Sequence, residues 1–203
     1  MNDKLAASQN SNFHIFPSEN FIDLCLYQYG HEKCSSGHLF GPATRNHYLF
    51  HYVLSGTGTL MAANSKGENQ TYKIHSGQGF MIFPEQITTY IADVQVPWEY
   101  VWVEFDGLRT TEILNICGFS KDAPVYTAGS AELRKKLAEE LLYISSHSDQ
   151  SSFHLMGHLY LFFDLLLQSA PSHRPAASSK MSDYYIKESI NFIEQKFHNS
   201  ITN

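Results

Sequence analysis

The stretch from Trp98 to Phe105 reads WEYVWVEF, and its strict alternation is the clearest structural signal in the chain. Successive side chains of a β-strand point to opposite faces. One face would therefore carry rings and a carboxylate, from Trp98, Tyr100, Trp102 and Glu104. The opposite face would carry the apolar side chains of Val101, Val103 and Phe105. Because the apolar face can pack on helices while the ring face lines an interior, the stretch predicts a strand that is covered on both sides.

Short β-prone segments separated by glycine turns occupy the rest of residues 13–107. Turn signals stand at Ser55 to Gly58, at Asn64 to Gly67 and at Ser76 to Gly79. Turns at intervals of about ten residues are typical of an antiparallel barrel or sandwich. The sequence therefore predicts a mostly β domain.

The hydrophobic period changes from two to about 3.6 after Gly107, which predicts helices over residues 108–169. Thr110 to Cys117 forms a first short helix, and Ser130 caps a second. A third helix runs from about Ser152 to Ser169 and is apolar on nearly all sides. Two interpretations remain open for it: burial inside its own domain, or packing on the barrel together with pairing to a second subunit.

The two ends of the chain differ in composition from the middle. Residues 1–12 are polar and predict an N-terminal arm, and residues 170–182 predict a linker. Ser182 then caps a further helix over residues 183–203, whose apolar stripe it cannot bury alone. The chain is therefore expected to stop just inside a second domain.

Composition and charge exclude several classes of protein. The 203 residues are 43% hydrophobic and 17% charged, with a net charge of −6, so the chain is expected to be globular without a whole-chain grip on nucleic acid. No apolar run reaches the ~18 residues of a membrane span, and no secretory signal opens the chain. Three cysteines without a CxxC pair favour a reduced, cytoplasmic location.

A metal-dependent enzyme of the cupin type would need a histidine pair, a glutamate and a later histidine. His47 and His51 lie four residues apart, so on one strand they would be roughly 13 Å apart, too far to share an ion. Thr88 stands where the later histidine would be expected. With no nucleophile elbow and no phosphate loop either, we expect no metal, no cofactor and no catalytic residues.

Flat rings beside hydrogen-bonding tips are what a sugar site needs, because a ring lies against the C–H face of a pyranose. Tyr90 shortly precedes the ring-bearing strand, and Arg45 precedes the strand that begins at Tyr48. An arginine fork binds neighbouring hydroxyls or a carboxylate. Two alternatives stay open: the rings fill a small barrel, and Arg45 is a solvated charge at a strand end.

Three motifs on one span resemble the effector-binding domain of AraC/XylS-type transcriptional regulators, closest to the family's sugar-operon activators. They are GPxxRxxY from Gly41, YVLSGxG from Tyr52 and PWxYxWxxFxG from Pro97. The resemblance implies a cupin-like (double-stranded β-helix) barrel followed by a helical dimerisation segment. It also implies a homodimer, and contact with operator DNA only through a C-terminal domain of which residues 183–203 would be the first helix.

The resemblance also implies a binding site for a small sugar effector. Sugar contacts of the family's arabinose-binding member, carried over by position, fall on Arg45, Thr88, Tyr90, Tyr100 and Trp102. That member has histidine at the positions of Thr88 and Tyr100 and an apolar residue at that of Arg45, so a different sugar is expected here. Trp98 and Glu104 join the candidates because they share the strand face of Trp102.

Three functions are therefore open. The first is a cytoplasmic sugar sensor that controls a DNA-binding domain, because a ligand shifts a regulator by its differential affinity for two states. The second is a cupin-type, metal-dependent enzyme acting on a sugar. The third is a dimerisation module with a vestigial pocket.

Overall fold

The computed structural model describes residues 11–16, 21–170, 189, 190 and 193. The predicted arm, apart from its last two residues, and the predicted linker after residue 170 lie outside the described residues. Of the predicted C-terminal helix only Ser189, Ile190 and Ile193 are described, and they are helical. They belong to a second compact unit that starts at His173.

The described residues of the first unit form ten strands and three helices. The strands are β1 Ser11–Ile15, β2 Cys25–Lys33, β3 Leu39–Ala43, β4 Tyr48–Ser55, β5 Thr57–Ala63, β6 Asn69–His75, β7 Gln78–Ile82, β8 Thr88–Ala92, β9 Glu99–Asp106 and β10 Val125–Thr127. The helices are α1 Thr110–Ile116, α2 Ala131–Ser146 and α3 Ser152–Gln168.

The strands form two antiparallel sheets that share one interior. The larger sheet has the order β1-β2-β9-β4-β7-β10, and the smaller has the order β3-β8-β5-β6. Buried side chains from both sheets form one cluster, in which Trp98, Tyr100 and Trp102 meet Leu60 and Tyr90. The predicted cupin-like barrel is thereby confirmed.

The outer face of the larger sheet packs against the helices. Val101, Val103 and Phe105 join the buried cluster that contains the inner residues of α2 and α3. The two faces of β9 are therefore covered by different layers, as its alternation predicts. None of the described helices is long and apolar enough to cross a membrane.

Two helices begin at the serine caps that their sequences provide. The side chain of Ser130 accepts a hydrogen bond from the Leu133 amide at the start of α2, and Ser151 does the same for the His154 amide at the start of α3. Such caps satisfy amides that have no partner within the helix. Helix α1 begins at Thr110 without a side-chain cap.

Helix α3 is buried along one side and exposed along another. Leu159 and Leu166 lie wholly inside the core of this chain. Phe153, Tyr160 and Leu161 are half or more exposed. Burial within the chain therefore accounts for most of the apolar faces of α3, but not for all of them.

Three features of the fold differ from the prediction. Strand β1 starts at Ser11, inside the predicted arm, because it pairs with β2. Strand β10 pairs with β7 and interrupts the segment predicted to be helical. Strand β3, whose residues were not predicted as a strand, pairs with β8 in the smaller sheet. Pairing with strands distant in sequence stabilises these short strands. A strand of this kind can form even though its own residues carry almost no periodic signal.

Candidate functional site

The interior face of the larger sheet is arranged in rows across β2, β9 and β4. Each row pairs one residue of β9 with a residue on either side: Gln28–Glu104–Leu49, Gly30–Trp102–His51 and Glu32–Tyr100–Val53. The rows run from a polar end at Glu104, through aromatic rings, to a second polar group at Glu32. The predicted candidates on β9 thus face one interior.

Trp102 fits this interior because β2 carries a glycine opposite to it. A Cβ atom on Gly30 would lie 2.4 Å from the Trp102 ring and 2.2 Å from the Asn12 carbonyl oxygen. Neither approach is sterically possible, so the indole occupies the space that a side chain would fill. The Trp102 ring also lies edge-on to Tyr100, with centroids 5.6 Å apart.

Trp98, which immediately precedes β9, is the most deeply buried of the candidates. The ring is fully buried and lies where a Cβ atom on Gly58 would be, at 2.2 Å. It also stacks near Phe80, at a centroid distance of 5.9 Å. These contacts favour a packing role for Trp98 over direct contact with a ligand.

A polar cluster surrounds Glu104 at one end of the rows. One carboxylate oxygen is 3.1 Å from Nη1 of Arg45, and the other is 3.0 Å from Nδ1 of His47. Nε2 of Gln28 donates a further hydrogen bond to the carboxylate. His47 in turn stacks on Tyr27, with centroids 3.7 Å apart. The cluster combines a buried acceptor with donors that reach the surface.

Arg45 is held by the fold and is not a solvated charge at a strand end. Its side chain is only 22% exposed. The guanidinium lies 5.2 Å from the centre of the Phe40 ring and also interacts with the Tyr90 hydroxyl. Arg45 therefore joins Glu104 on the larger sheet to Tyr90 on the smaller one.

Tyr90 and Thr88 reach the same interior from β8. Both are buried, and the Tyr90 ring centroid is 6.4 Å from that of Tyr100. Burial raises the pKa of Tyr90, and the neighbouring Arg45 charge opposes that rise. Tyr90 is therefore a neutral hydroxyl at physiological pH, suited to hydrogen bonding.

The second polar group of the interior lies around Glu32. The Tyr100 hydroxyl donates to Glu32 at 3.1 Å. Cys34 lies directly after the end of β2 and is also buried. Burial, and secondly the Glu32 charge, raises the pKa of the Cys34 thiol to about 12, so the thiol keeps its proton at neutral pH.

His51 lies in the middle of the interior, on β4. Its ring stacks on Phe80, with centroids 4.7 Å apart, and meets Tyr100 edge-on at 4.8 Å. Among the described residues, Nδ1 of His51 has no hydrogen-bond partner. Burial holds the pKa of His51 well below its usual value, and the Arg45 charge lowers it further. His51 is therefore neutral in the folded protein.

This depressed pKa predicts a loss of stability in mild acid. As the pH falls through about 6.5, the unfolded chain protonates His51 while the folded chain does not, so stability falls by up to about 1.4 kcal/mol per pH unit. We expect the free energy of unfolding, measured with urea, to differ less between pH 7 and pH 5 in His51→Gln than in the parent. His75 is exposed, so His75→Gln should keep the difference seen in the parent. The same difference in unfolding free energy in all three proteins would contradict the prediction.

The histidines considered for a cupin-type metal set do not converge. His47 is bound to Glu104, whereas His51 is stacked among interior rings. Within the described part of the chain, the one group with the spacing of metal ligands is Glu32, Cys34 and His38. Sequence reasoning missed that group because its members lie on a strand and the following loop, in no familiar motif.

A cavity of about 430 Å³ lies outside this interior, between β1 and the connection from α2 to α3. Phe13 and His14 line it from β1, and Ser148 and Gln150 line it from the connection. None of the seven predicted candidates lines this cavity. No sequence pattern predicts this cavity, since its walls are brought together only by folding.

A barrel whose interior combines aromatic rings with a few fixed polar groups is the architecture of a small-molecule binding domain. The family model described as "AraC-like ligand binding domain" matches residues 26–163. The chain belongs to this family, which confirms the resemblance seen in the sequence.

Two curated relatives are regulatory proteins of operons. The Msm operon regulatory protein of Streptococcus mutans serotype c (strain ATCC 700610 / UA159) is 26% identical over 190 residues, covering 93% of this chain and 66% of the relative. The raffinose operon transcriptional regulatory protein RafR of Pediococcus pentosaceus is 27% identical over 163 residues, covering 77% and 56%. The chain thus spans roughly three fifths of the length of these relatives.

Among solved structures, an oxalate decarboxylase from Bacillus subtilis is similar with a TM-score of 0.36 and 11% identity, covering 55% of this chain and 35% of that chain. So low a score supports no functional inference. Neither curated relative bears the name of an enzyme.

Proposed function

We propose that this chain is the effector-binding and dimerisation part of a cytoplasmic, sugar-responsive transcription regulator. A neutral sugar binds in the barrel, and binding controls a C-terminal DNA-binding domain to which residues 183–203 contribute the first helix. The residues that bind the sugar are Arg45, Thr88, Tyr90, Tyr100, Trp102 and Glu104. Trp98 supports the site from behind.

The observation that carries this proposal is the chain of contacts from Glu104 through Arg45 to Tyr90 beside the Trp102 ring. Glu104 supplies acceptors and Arg45 supplies a fork of donors, 3.1 Å apart. Neighbouring hydroxyls of a sugar need both kinds of partner. Trp102, two residues from Glu104 on the same face of β9, offers the apolar surface for the sugar ring. The operon regulators among the relatives support the same choice of ligand class.

A cupin-type, metal-dependent sugar enzyme is the weaker alternative. Its histidine set would require His47 and His51 to meet a third ligand near Thr88, and His47 is already engaged by Glu104. The charged pair of Arg45 and Glu104 inside the barrel argues against a dimerisation module with a vestigial pocket. Burying such a pair costs desolvation energy that simple apolar packing would avoid.

Titration calorimetry against a panel of mono-, di- and trisaccharides tests the proposal. We expect one sugar to bind with a stoichiometry of one per chain, and Glu104→Gln to weaken its binding. Binding of that sugar should also change tryptophan fluorescence, since both tryptophans of the chain lie in or next to β9. A panel in which no sugar binds the folded chain would contradict the proposal.

We further propose that the exposed side of α3 pairs with a second copy of the chain. Phe153, Tyr160 and Leu161 are at least half exposed along this helix, and apolar patches of this kind mark interfaces. Isologous pairing is the usual arrangement of a two-fold dimer.

A charge at Leu161 should separate the two copies. We expect Leu161→Glu to raise the dimer dissociation constant at least tenfold, which is about 1.4 kcal/mol, because a carboxylate would be buried unpaired in the interface. Sedimentation at several concentrations measures the effect. Leu108→Glu, at an exposed leucine before α1, is the matched control. A parent chain that sediments as a monomer at micromolar concentration would refute the pairing.

A further inference from the structure

Three side chains that ligate transition metals converge at one edge of the barrel interior: those of Glu32, Cys34 and His38. One ligand atom from each lies within 4.8 Å of the other two. Oε1 of Glu32 is 3.7 Å from Nε2 of His38, close to the separation of two ligands around one metal ion. The three residues thus form a triad of oxygen, sulfur and nitrogen donors.

The backbone fixes each member of the triad. Glu32 stands opposite Tyr100 in the pairing of β2 with β9. The amide of Cys34 donates to the Trp98 carbonyl at 3.1 Å. His38 is held twice, since its amide donates to the Ser35 carbonyl and its carbonyl accepts from the Ala92 amide. The triad is therefore largely preorganised, and metal binding needs only small side-chain movements.

The surroundings of the triad suit a metal centre as well. The Tyr100 hydroxyl donates to Oε2 of Glu32, and hydrogen bonds of this kind orient a ligating carboxylate. Glu32 and Cys34 are buried, whereas the His38 side chain is 28% exposed. An ion therefore has a route from the surface to a partly dry site.

The choice of ligands points to zinc. Zinc accepts sulfur, imidazole nitrogen and carboxylate oxygen together, usually in tetrahedral geometry. Calcium and magnesium prefer sites made of oxygen alone. A carboxylate and a thiolate also balance the two charges of the ion, which matters where the dielectric is low.

We propose that Glu32, Cys34 and His38 bind one zinc ion per chain, with the fourth position open to water. On binding, the Cys34 sulfur releases its proton to solvent and forms a bond to the ion, without any change in oxidation state. This proposal departs from the sequence-based expectation of no metal, and its ligands include none of the histidines considered for the cupin-type set. None of its three ligands is a residue proposed to bind sugar, although Glu32 accepts a hydrogen bond from Tyr100. Zinc titration without sugar tests it separately from the sugar proposal.

Titration of the purified, chelator-treated full chain with zinc alone tests the site. A chromophoric chelator serves as competitor, and dialysis followed by elemental analysis gives the stoichiometry. We expect one zinc per chain, with His38→Gln and Cys34→Ser each weakening binding at least tenfold. Replacing zinc by cobalt should give a thiolate-to-cobalt charge-transfer band that is absent in Cys34→Ser.

Matched controls separate this site from adventitious binding by other histidines and cysteines. His154→Gln removes one of two histidines, His154 and His158, that lie four residues apart on α3. Cys117→Ser removes another free thiol. Both variants should bind zinc as the parent does. Because His38 is partly exposed, His38→Gln is expected to fold even if Cys34→Ser does not, and circular dichroism checks this. Absence of stoichiometric zinc, or loss of zinc in His154→Gln but not in folded His38→Gln, would overturn the proposal.

Discussion

The Trp102→Ala variant is expected to bind the cognate sugar at least tenfold more weakly than the parent chain, a loss of about 1.4 kcal/mol. Removing the indole removes the apolar surface against which the sugar ring lies, at ~25 cal/mol per Å² of lost contact. Tyr90→Phe should weaken binding less, because one neutral hydrogen bond contributes roughly 0.5–1.5 kcal/mol. Calorimetry with the sugar identified from the saccharide panel measures both variants.

Two controls keep this result interpretable. Trp102 is almost fully buried, so the truncation also costs ~3–5 kcal/mol of stability, and circular dichroism must show that the variant is folded. Trp98→Phe keeps a ring at the fully buried tryptophan and should bind sugar nearly as the parent does. If folded Trp102→Ala binds the sugar as tightly as the parent, the site lies elsewhere, and the cavity beside β1 becomes the next candidate.

The Leu159→Ala variant is expected to lose ~2–5 kcal/mol of unfolding free energy. Leu159 is wholly buried among the rings and aliphatic side chains between α3 and the larger sheet. Truncation leaves a cavity that the packed layer refills only in part. Urea or thermal unfolding of the purified chain measures the loss.

Leu108→Ala is the matched control, because that leucine is half exposed and its truncation should change stability by no more than ~0.5 kcal/mol. Leu159 and Leu166 belong to the core of this chain, whereas Leu161 is half exposed. A charge at Leu159 or Leu166 would test the fold of the chain, whereas a charge at Leu161 tests the dimer. Similar stabilities for Leu159→Ala and Leu108→Ala would mean that α3 is not packed as described.

Local patterns predicted much of the fold. The alternation of β9 identified which side chains face the barrel and which face the helices. Ser130 located the start of α2, and the apolar period located the extent of α3 over about Ser152 to Ser169. These signals depend on the period of two for a strand and 3.6 for a helix, which the residues of one segment carry by themselves. The pairing of β10 with β7 carries no such signal.

For the candidate site, too, the sequence predicted some features and the tertiary structure decided others. The sequence, with its family resemblance, predicted that Arg45, Tyr90 and Trp102 belong to one interior, and the structure brings them there. It treated Trp98 and Glu104 alike, because both share the strand face of Trp102. The structure separates them, since Trp98 is packed behind Gly58 while Glu104 anchors the polar cluster with Arg45 and His47.

The sequence by itself determined the class of fold, the family and the ring-bearing face of β9, because each of these is written in short stretches of residues. The tertiary structure alone decided that His47 and Gln28 meet Glu104, and that Glu32, Cys34 and His38 form one triad of donors. Which strands become neighbours depends on the burial of both sheets and the helices at once. Side chains far apart in sequence therefore become a site only when that burial has fixed their strands side by side.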